Sequence, residues 1–337
     1  MKKILAMSLC AAMVMSLLVG CSSGGAAVKT GLAVVSSLAK STNATADAEG
    51  LAETDSLIAA VLVDKNGKIV DCKIDAAQTK INFSAEGKLT TDVATTFKTK
   101  NELGTEYGMG SASGIGKEWN EQAAAFAKYC VGKTVDEVKG IAVTDQGVAS
   151  DADLAASVTV HIGDFIEAVA QAAGAATDKG AKEGDKLGLA ITTDIAKSTE
   201  ATADAEGLAQ SYSNIAVVTL GKDSKITSCI IDAIQGNVNF STTGVISTDL
   251  TVAPQAKQVL KDAYGMKKAS GIGKEWYEEA NAFADYCVGK TAADVKGIAL
   301  TDQGLAADAD LAASVTVHVG PFIANVDKAS ANASAAK

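Results

Sequence analysis

Two short motifs, each present twice, contain residue types that could take part in chemistry or ligand binding. The first is Asp151-Ala-Asp-Leu-Ala-Ala-Ser157-Val-Thr159, which recurs unchanged from Asp308 to Thr316 with Ser314 in the place of Ser157. The small residues at 155 and 156 leave the Ser157 hydroxyl unshielded. Asp151 also suits the start of a short helix, where a carboxylate caps free backbone N–H groups.

The second motif is Ala112-Ser-Gly-Ile-Gly116, repeated as Ala269-Ser-Gly-Ile-Gly273. Two glycines separated by one residue let a backbone approach a flat or charged ligand closely. A simple turn ahead of a helix is an equally open interpretation. The surrounding pattern is neither that of a dinucleotide-binding fold nor that of a P-loop, because no suitable strand and no Gly-Lys-Ser/Thr accompany the glycines.

Both motifs belong to a long internal repeat. A shift of 157 residues aligns 31–166 with 188–323 without a gap, and 82 of the 136 pairs are identical. A period of this length indicates a duplicated domain. We therefore predict one domain at 31–171, a second at 188–328 and a tail at 329–337. The small, polar residues of 172–187 predict a flexible linker.

The elements that must position the motifs follow from hydrophobic spacing. Residues 58–63 and 69–74, joined by a turn at Asn66-Gly67, predict a β-hairpin with Val70, Cys72 and Ile74 on one face. Residues 117–131 have helical spacing, and Gly132 ends that helix. Short buried strands are predicted at 141–143 and 298–300. The fold class is α+β, with an antiparallel sheet and packed helices in each domain.

The beginning of the chain is typical of an exported lipoprotein. Residues 1–20 combine two lysines with an apolar run too short for a comfortable membrane span, which predicts an export signal. Leu18-Val19-Gly20-Cys21 resembles a bacterial lipobox, so Cys21 is expected to be acylated and 21–30 to form a flexible tether. Several acyl chains give stable membrane attachment. The alternative is an ordinary secreted protein with an incidental cysteine.

Composition excludes several classes of function. The chain has 30 lysines and no arginine, and loss of Lys2 and Lys3 takes its formal net charge from −10 to −12. An acidic protein of this kind is a poor partner for nucleic acid or anionic lipid. With 47% hydrophobic residues it can still build a core. No Ser-His-Asp arrangement has a readable spacing and no Cys-x-x-Cys pair suggests a metal site.

The order of these features resembles that of the FMN-binding domain family found in sodium-pumping quinone reductases and related electron-transport complexes. That family shows Thr-Pro-Gly-Leu-Gly, a helix, Gly-Lys, a buried strand and Asp-x-x-x-Gly-Ala-Thr-x-Thr. This chain has the 112–116 motif, a helix with Trp119, Gly132-Lys133, residues 141–143 and the 151–159 motif, all repeated. The combination of an export signal, an acylated cysteine and two tandem domains is most similar to that of the flavoprotein lipoproteins of Gram-positive extracellular electron transfer. This chain departs from the family's motifs at three positions in each repeat. It has Ala155 and Ala312 in place of glycine, Ser157 and Ser314 in place of threonine, and Ser113 and Ser270 in place of proline.

The resemblance implies a membrane-anchored electron carrier, rather than a turnover enzyme, at the outer face of the cytoplasmic membrane. It implies two FMN groups joined by phosphoester bonds to Ser157 and Ser314, and a flavin transferase that recognises Asp151 and Asp308. A quinol-linked or NADH dehydrogenase would supply electrons to external acceptors such as ferric iron or soluble flavins. The two glycine motifs would lie against the flavin ring, which makes cofactor-binding candidates of Gly114, Ile115, Gly116, Gly271, Ile272 and Gly273. Without arginine, the phosphates would depend on backbone amides, lysines, Thr159 and Thr316.

Several residues have an ordinary structural interpretation beside a functional one. His161 and His318 would either face the flavin or lie on the surface. Trp119 and Trp276 would stack on flavin or belong to the core. Each domain's cysteine pair, Cys72 with Cys130 and Cys229 with Cys287, would form a disulfide or remain as buried free thiols. The alternative to the carrier is a non-redox tandem surface lipoprotein that binds a peptide, a wall component or a small solute.

Overall fold

A computed structural model describes residues 25–334. The expected export signal, Cys21 and residues 22–24 of the expected tether lie outside the described residues, as do the last three residues of the tail. Residues 27–30 of that expected tether are instead the start of a β-strand. Within 25–334, no helix has the length and hydropathy needed to cross a membrane.

The fold is mixed α+β and contains two antiparallel sheets. The first has the order β3-β2-β1-β4 and the second the order β5-β6-β7. Their strands are β1 Ala27–Ser37, β2 Gly50–Val63, β3 Ile69–Phe83, β4 Thr177–Lys182, β5 Lys186–Asp194, β6 Gly207–Leu220 and β7 Ile226–Phe240. At the position equivalent to β4, the second repeat has a single bridge between Leu187 and Ser334.

Each repeat adds five helices in the same order after its hairpin. In the first they are α1 Lys100–Leu103, α2 Trp119–Cys130, α3 Val135–Lys139, α4 Ala152–Ala155 and α5 Gly163–Gly174. In the second they are α6 Lys257–Leu260, α7 Trp276–Cys287, α8 Ala292–Lys296, α9 Ala309–Ala312 and α10 Gly320–Ala331. Pro321 lies in the first turn of α10, where proline is tolerated. The segments between each candidate serine and the next helix, 158–162 and 315–319, are not helical.

The predicted hairpin is confirmed, with longer strands than the sequence pattern indicated. One detail of its register was wrong. Val63 pairs with Ile69 and Leu62 with Asp71, so Val70 is an extra residue in β3. Such a bulge reverses the alternation of side chains. Val70 consequently packs on the opposite face from Cys72 and Ile74.

The predicted helix around Trp119 is α2, which begins at Trp119 and ends at Cys130. Glu118 and Glu121 form a reciprocal capping box at its start. Trp119, Phe126 and Cys130 are buried in the core between this helix and the first sheet. α7 repeats the arrangement on the second sheet.

The short strands predicted at 141–143 and 298–300 are not present. Val143 makes only an isolated bridge to Ala149, and Leu300 makes one to Ala306. The side chains of Val143 and Leu300 are 46% and 42% exposed. The physical reason is a tight turn directly after Val143, in which the Thr144 amide donates to the Val148 carbonyl. Only Ile141 of this apolar triplet is buried.

The two repeats form one body. Residues 172–187, predicted as a flexible linker, contain the end of α5, the whole of β4 and the start of β5, and β4 pairs with β1. The faces of the two sheets that lack helices pack on each other through a shared apolar core, with Ile58 and Leu62 on one side and Ile191 and Val217 on the other. The molecule therefore has four layers, helices–sheet–sheet–helices.

The contact between the repeats is reciprocal. The Ala44 amide donates to the Gly244 carbonyl at 2.8 Å, and the equivalent Ala201 amide donates to the Gly87 carbonyl at 2.9 Å. The rings of Phe83 and Phe240, also equivalent residues, stack with centroids 4.3 Å apart. The repeats are thus related by an approximate two-fold axis that passes close to this ring pair.

Candidate functional site

The candidate acceptor serine follows a short helix that is anchored on both sides. The Asp151 carboxylate accepts a hydrogen bond from the Leu154 amide at 2.9 Å and caps α4. Leu154 and Val158 are buried in the core. Ser157 lies between them, half-buried, and its hydroxyl has no hydrogen-bond partner among residues 25–334. The second repeat is the same, with Asp308 capping α9 ahead of Ser314.

The glycine loop faces open space. Gly116 and its twin Gly273 have φ angles of +66° and +65°, a conformation that favours glycine. A methyl group added at Gly114 or Gly271 would meet no other atom within 4 Å. Both loops therefore leave room for a flat group to lie against their backbone.

The start of the glycine loop is held by an acidic residue that also caps the following helix. In the first repeat, the Glu118 carboxylate accepts a hydrogen bond from the Met109 amide at 2.9 Å. In the second, Glu275 accepts from the Met266 amide at 2.8 Å and from the Lys267 amide at 3.0 Å. The loop is thus fixed relative to the helix before any ligand binds.

One buried side chain joins the two motifs in the first repeat. Gln122 of α2 is fully buried, and its Oε1 accepts from the backbone amides of Thr159 and Val160 at 2.7 and 3.2 Å. Its Nε2 donates to the Ser113 hydroxyl at 3.1 Å. The glycine loop and the segment directly after Ser157 are therefore tied to one another through Gln122.

The second repeat places a carboxylate at this point. Glu279 is fully buried and accepts from the Thr316 and Val317 amides at 2.6 and 3.0 Å. It also accepts from the hydroxyls of Ser270 at 2.8 Å and Thr316 at 3.1 Å. The connection between the two motifs is the same, but the group that makes it is an acid.

The sequence analysis did not single out Gln122 or Glu279, although a signal was present. Trp119, Gln122, Ala123 and Phe126 have the spacing of one helix face. A polar residue in an otherwise apolar stripe needs a buried partner. Gln122 finds those partners in the two motifs that the sequence did identify.

The two tryptophans lie in the core and His161 lies on the surface, as the structural interpretation of these residues predicts. Trp119 and Trp276 are buried and pack edge-to-face on Phe165 and Phe322. His161 is exposed, and its ring lies beside the turn at Gly147. The Thr159 hydroxyl lies 3.2 Å from Gln122 Oε1, to which it donates. The proton of that hydroxyl is therefore already used. The backbone amides next to it also donate within the protein, to Leu154 and Gln122; they are those of Ser157, Val158, Thr159 and Val160. A phosphate on Ser157 would therefore depend on lysine side chains and on backbone amides farther from the serine.

All four cysteines within the described residues are free and buried. Burial raises the pKa of the Cys130 thiol to about 12. Burial also raises the pKa of Cys72, whereas a hydrogen bond with Cys287 is the first cause of the raised pKa of Cys229. These buried thiols therefore belong to the core, and we expect them to be unreactive in the folded protein.

Comparisons with protein-family models, with curated proteins and with solved structures give no match to this chain. The fit of FMN is therefore judged on the site itself. Each repeat combines a serine hydroxyl that has no partner within the described part of the chain, an open glycine backbone and a buried side chain that fixes one against the other. Those three features fit a flat cofactor attached through its phosphate.

Proposed function

We propose that this chain is a surface electron carrier with one FMN per repeat, esterified to Ser157 and Ser314. The observation that carries the proposal is the link made by Gln122 and Glu279. In both repeats a buried side chain holds the open glycine loop against the segment that follows an unpartnered serine. Covalent attachment would suit an exported protein, which cannot easily replace a lost cofactor.

Attachment changes one bond on the protein. The serine Oγ loses its proton and gains a bond to phosphorus. The phosphoryl donor is a flavin dinucleotide brought by a flavin transferase, and its pyrophosphate bond breaks with release of a nucleoside monophosphate. Asp151 and Asp308 shape the acceptor by capping the helices that precede it, and both remain exposed for recognition by the transferase.

The attached FMN supplies one- and two-electron chemistry. The chain contributes position and electrostatics. The backbone of the glycine loops would face the ring, and in the absence of arginine the phosphate would be held by lysines and by backbone amides outside the serine segment, whose own amides donate within the protein. A quinol-linked or NADH dehydrogenase of the membrane is the proposed donor, and ferric iron or soluble flavins are the proposed acceptors. Acylation of Cys21 would keep the carrier at the outer face of the cytoplasmic membrane.

In-gel flavin fluorescence tests the proposal. The protein is co-expressed with a flavin transferase, denatured and separated by electrophoresis. Ser157→Ala is expected to lose half of the signal, and Ser157→Ala/Ser314→Ala all of it. Ser150→Ala, a neighbouring exposed serine, is the control and should keep the full signal. A colourless protein of unmodified mass would rule out the carrier.

One observation favours the alternative, a non-redox binding protein. A cavity of about 560 Å³ lies beside β3 and α2, away from Ser157, and Asp71, Lys73, Asn101 and Asn120 line it. The buried Asp71 carboxylate has one oxygen without a partner among the described residues. Retention of a small solute by protein without flavin, lost in Asn120→Tyr (the second repeat has Tyr277 at this position), would support that function.

A further inference from the structure

The two sites differ at one buried position, although the motifs around it are identical. They also differ directly before the glycine loop, where Gly110 and Ser111 correspond to the exposed Lys267 and Lys268. Solvent screens the charge of exposed lysines much more than that of a buried group. We propose, on the basis of the proposed function, that the two flavins differ in reduction potential. Glu279 makes the second repeat the low-potential site, and Gln122 makes the first repeat the high-potential site. The side chain that joins the motifs has the same place in both repeats, but it is neutral in the first and acidic in the second.

The hydrogen bonds of Glu279 fit an ionised carboxylate. Its four contacts are two backbone amides and two hydroxyls, and all four can donate. None of these groups requires a proton from the carboxyl group. Within residues 25–334, no lysine or histidine lies within ion-pair distance of Glu279. Its negative charge is therefore held by dipoles and is not neutralised by a cation.

The amide of Gln122 satisfies the same loop without charge. It also reverses the direction of one hydrogen bond. Ser113 accepts from Gln122 Nε2 at 3.1 Å, whereas Ser270 donates to Glu279 Oε1 at 2.8 Å. The Ser113 proton thus remains free for a group bound at the loop, apart from a long 3.5 Å contact with Thr159 Oγ1. The Ser270 proton is used within the protein.

Charge and hydrogen-bond direction act in the same sense. Reduction increases the electron density of a bound ring, so a nearby fixed negative charge disfavours the reduced form, and a free donor favours it. The interaction is stronger in a partly buried site than in water. Electrons delivered to the molecule by an external reductant should therefore collect in the first repeat.

Spectroelectrochemical titration of the flavinylated full chain tests this difference. Ser314→Ala leaves only the first flavin and Ser157→Ala only the second, and the second is expected to have the lower midpoint potential. Glu279→Gln in the Ser157→Ala background should raise that potential, and Gln122→Glu in the Ser314→Ala background should lower the other. Asp285→Asn, an exposed acid on α7, removes the same charge and should change neither.

Each swap introduces a side chain that the equivalent position already accommodates, so folding is expected to be preserved.

An infrared spectrum of the flavin-free Ser157→Ala/Ser314→Ala protein gives a second test. A carboxylate band lost on Glu279→Gln supports the inference, and the band of a protonated acid contradicts it. Equal potentials, unmoved by the swaps, would overturn the inequality while leaving the carrier intact. Absence of flavin from the wild-type protein would instead remove the proposed function.

Discussion

At the residue level, the second repeat buries an acid and a lysine close to Trp276. Lys257 Nζ donates to the Tyr212 hydroxyl at 2.7 Å and lies 4.2 Å from the centre of the Tyr264 ring. Burial lowers the pKa of Lys257 to about 7, although Asp232 opposes that shift. Burial also raises the pKa of Asp232 to about 7. The second repeat thus buries two groups that are expensive to charge, of which Lys257 lies against the rings of Tyr212, Tyr264 and Trp276.

Asp232→Asn is expected to remove a pH dependence of stability. Between pH 4 and 7 the folded protein keeps a proton on Asp232 that the unfolded chain has lost, so wild-type stability falls as the pH rises through this range. Asparagine can still accept from the Ala233 and Gln258 amides. The melting temperature of the variant, relative to wild type, should therefore increase from pH 4 to pH 7.

Asp75→Asn is the matched variant in the first repeat. Burial raises the pKa of Asp75 to about 6, so its relative gain should be complete about one pH unit earlier. Differential scanning fluorimetry across the pH range measures both variants. A difference from wild type that stays flat, or that falls between pH 4 and 7, would contradict the assignment.

At the element level, the contact between the Trp helix and its sheet encloses the cysteines. Cys72 of β3 and Cys130 of α2 belong to the same core, as do Cys229 of β7 and Cys287 of α7. Alkylation requires a thiolate and access to it, and burial opposes both. Reaction of these thiols therefore reports separation of helix from sheet.

Iodoacetamide at pH 8 should leave the four cysteines of the described residues, Cys72, Cys130, Cys229 and Cys287, unmodified in the folded protein. The same reagent in guanidinium chloride should modify all four, as measured by peptide mass spectrometry. Rapid modification of any of them in the folded protein would contradict the packing of α2 and α7. A disulfide-linked peptide from non-reduced protein would do the same.

Local pattern was sufficient to predict the hairpins, the Trp helix and the end of that helix. It failed where a single residue changes the register, as at Val70, because a bulge depends on pairing with β2. It also failed at 141–143, where three apolar residues gave the pattern of a strand but the following turn left Val143 exposed. The two motifs were identifiable from sequence, whereas their connection through Gln122 depends on contacts 37 or more residues apart.

At the level of the whole molecule, the packing of the two sheets was not predicted. Residues 58–63 are continuously apolar, and all six are buried. A strand with one exposed face would alternate, so an unbroken run of this kind indicates burial on both sides. Sequence alone does not say what covers the second face. Here the covering element is the same surface of the other repeat.

Phe240→Ala is expected to destabilise the whole protein by about 3–5 kcal/mol, because it removes a fully buried ring from a second apolar core between the repeats, where it stacks on Phe83. Unfolding should remain a single transition, since both repeats contribute to that core. Chemical denaturation followed by fluorescence of Trp119 and Trp276 measures both quantities. Val252→Ala is the control, because Val252 is 62% exposed and its loss should cost less than about 0.5 kcal/mol. Two separate transitions would contradict a common core.

The four-layer arrangement also determines how partners can reach the protein. α4 packs on α2 and α9 packs on α7, so Ser157 and Ser314 belong to the two outermost layers, on opposite sides of the paired sheets. A large protein bound over one serine would leave the other accessible to solution. If each serine carries a flavin as proposed, one molecule could bind an electron donor and an electron acceptor at the same time without having to rotate between them.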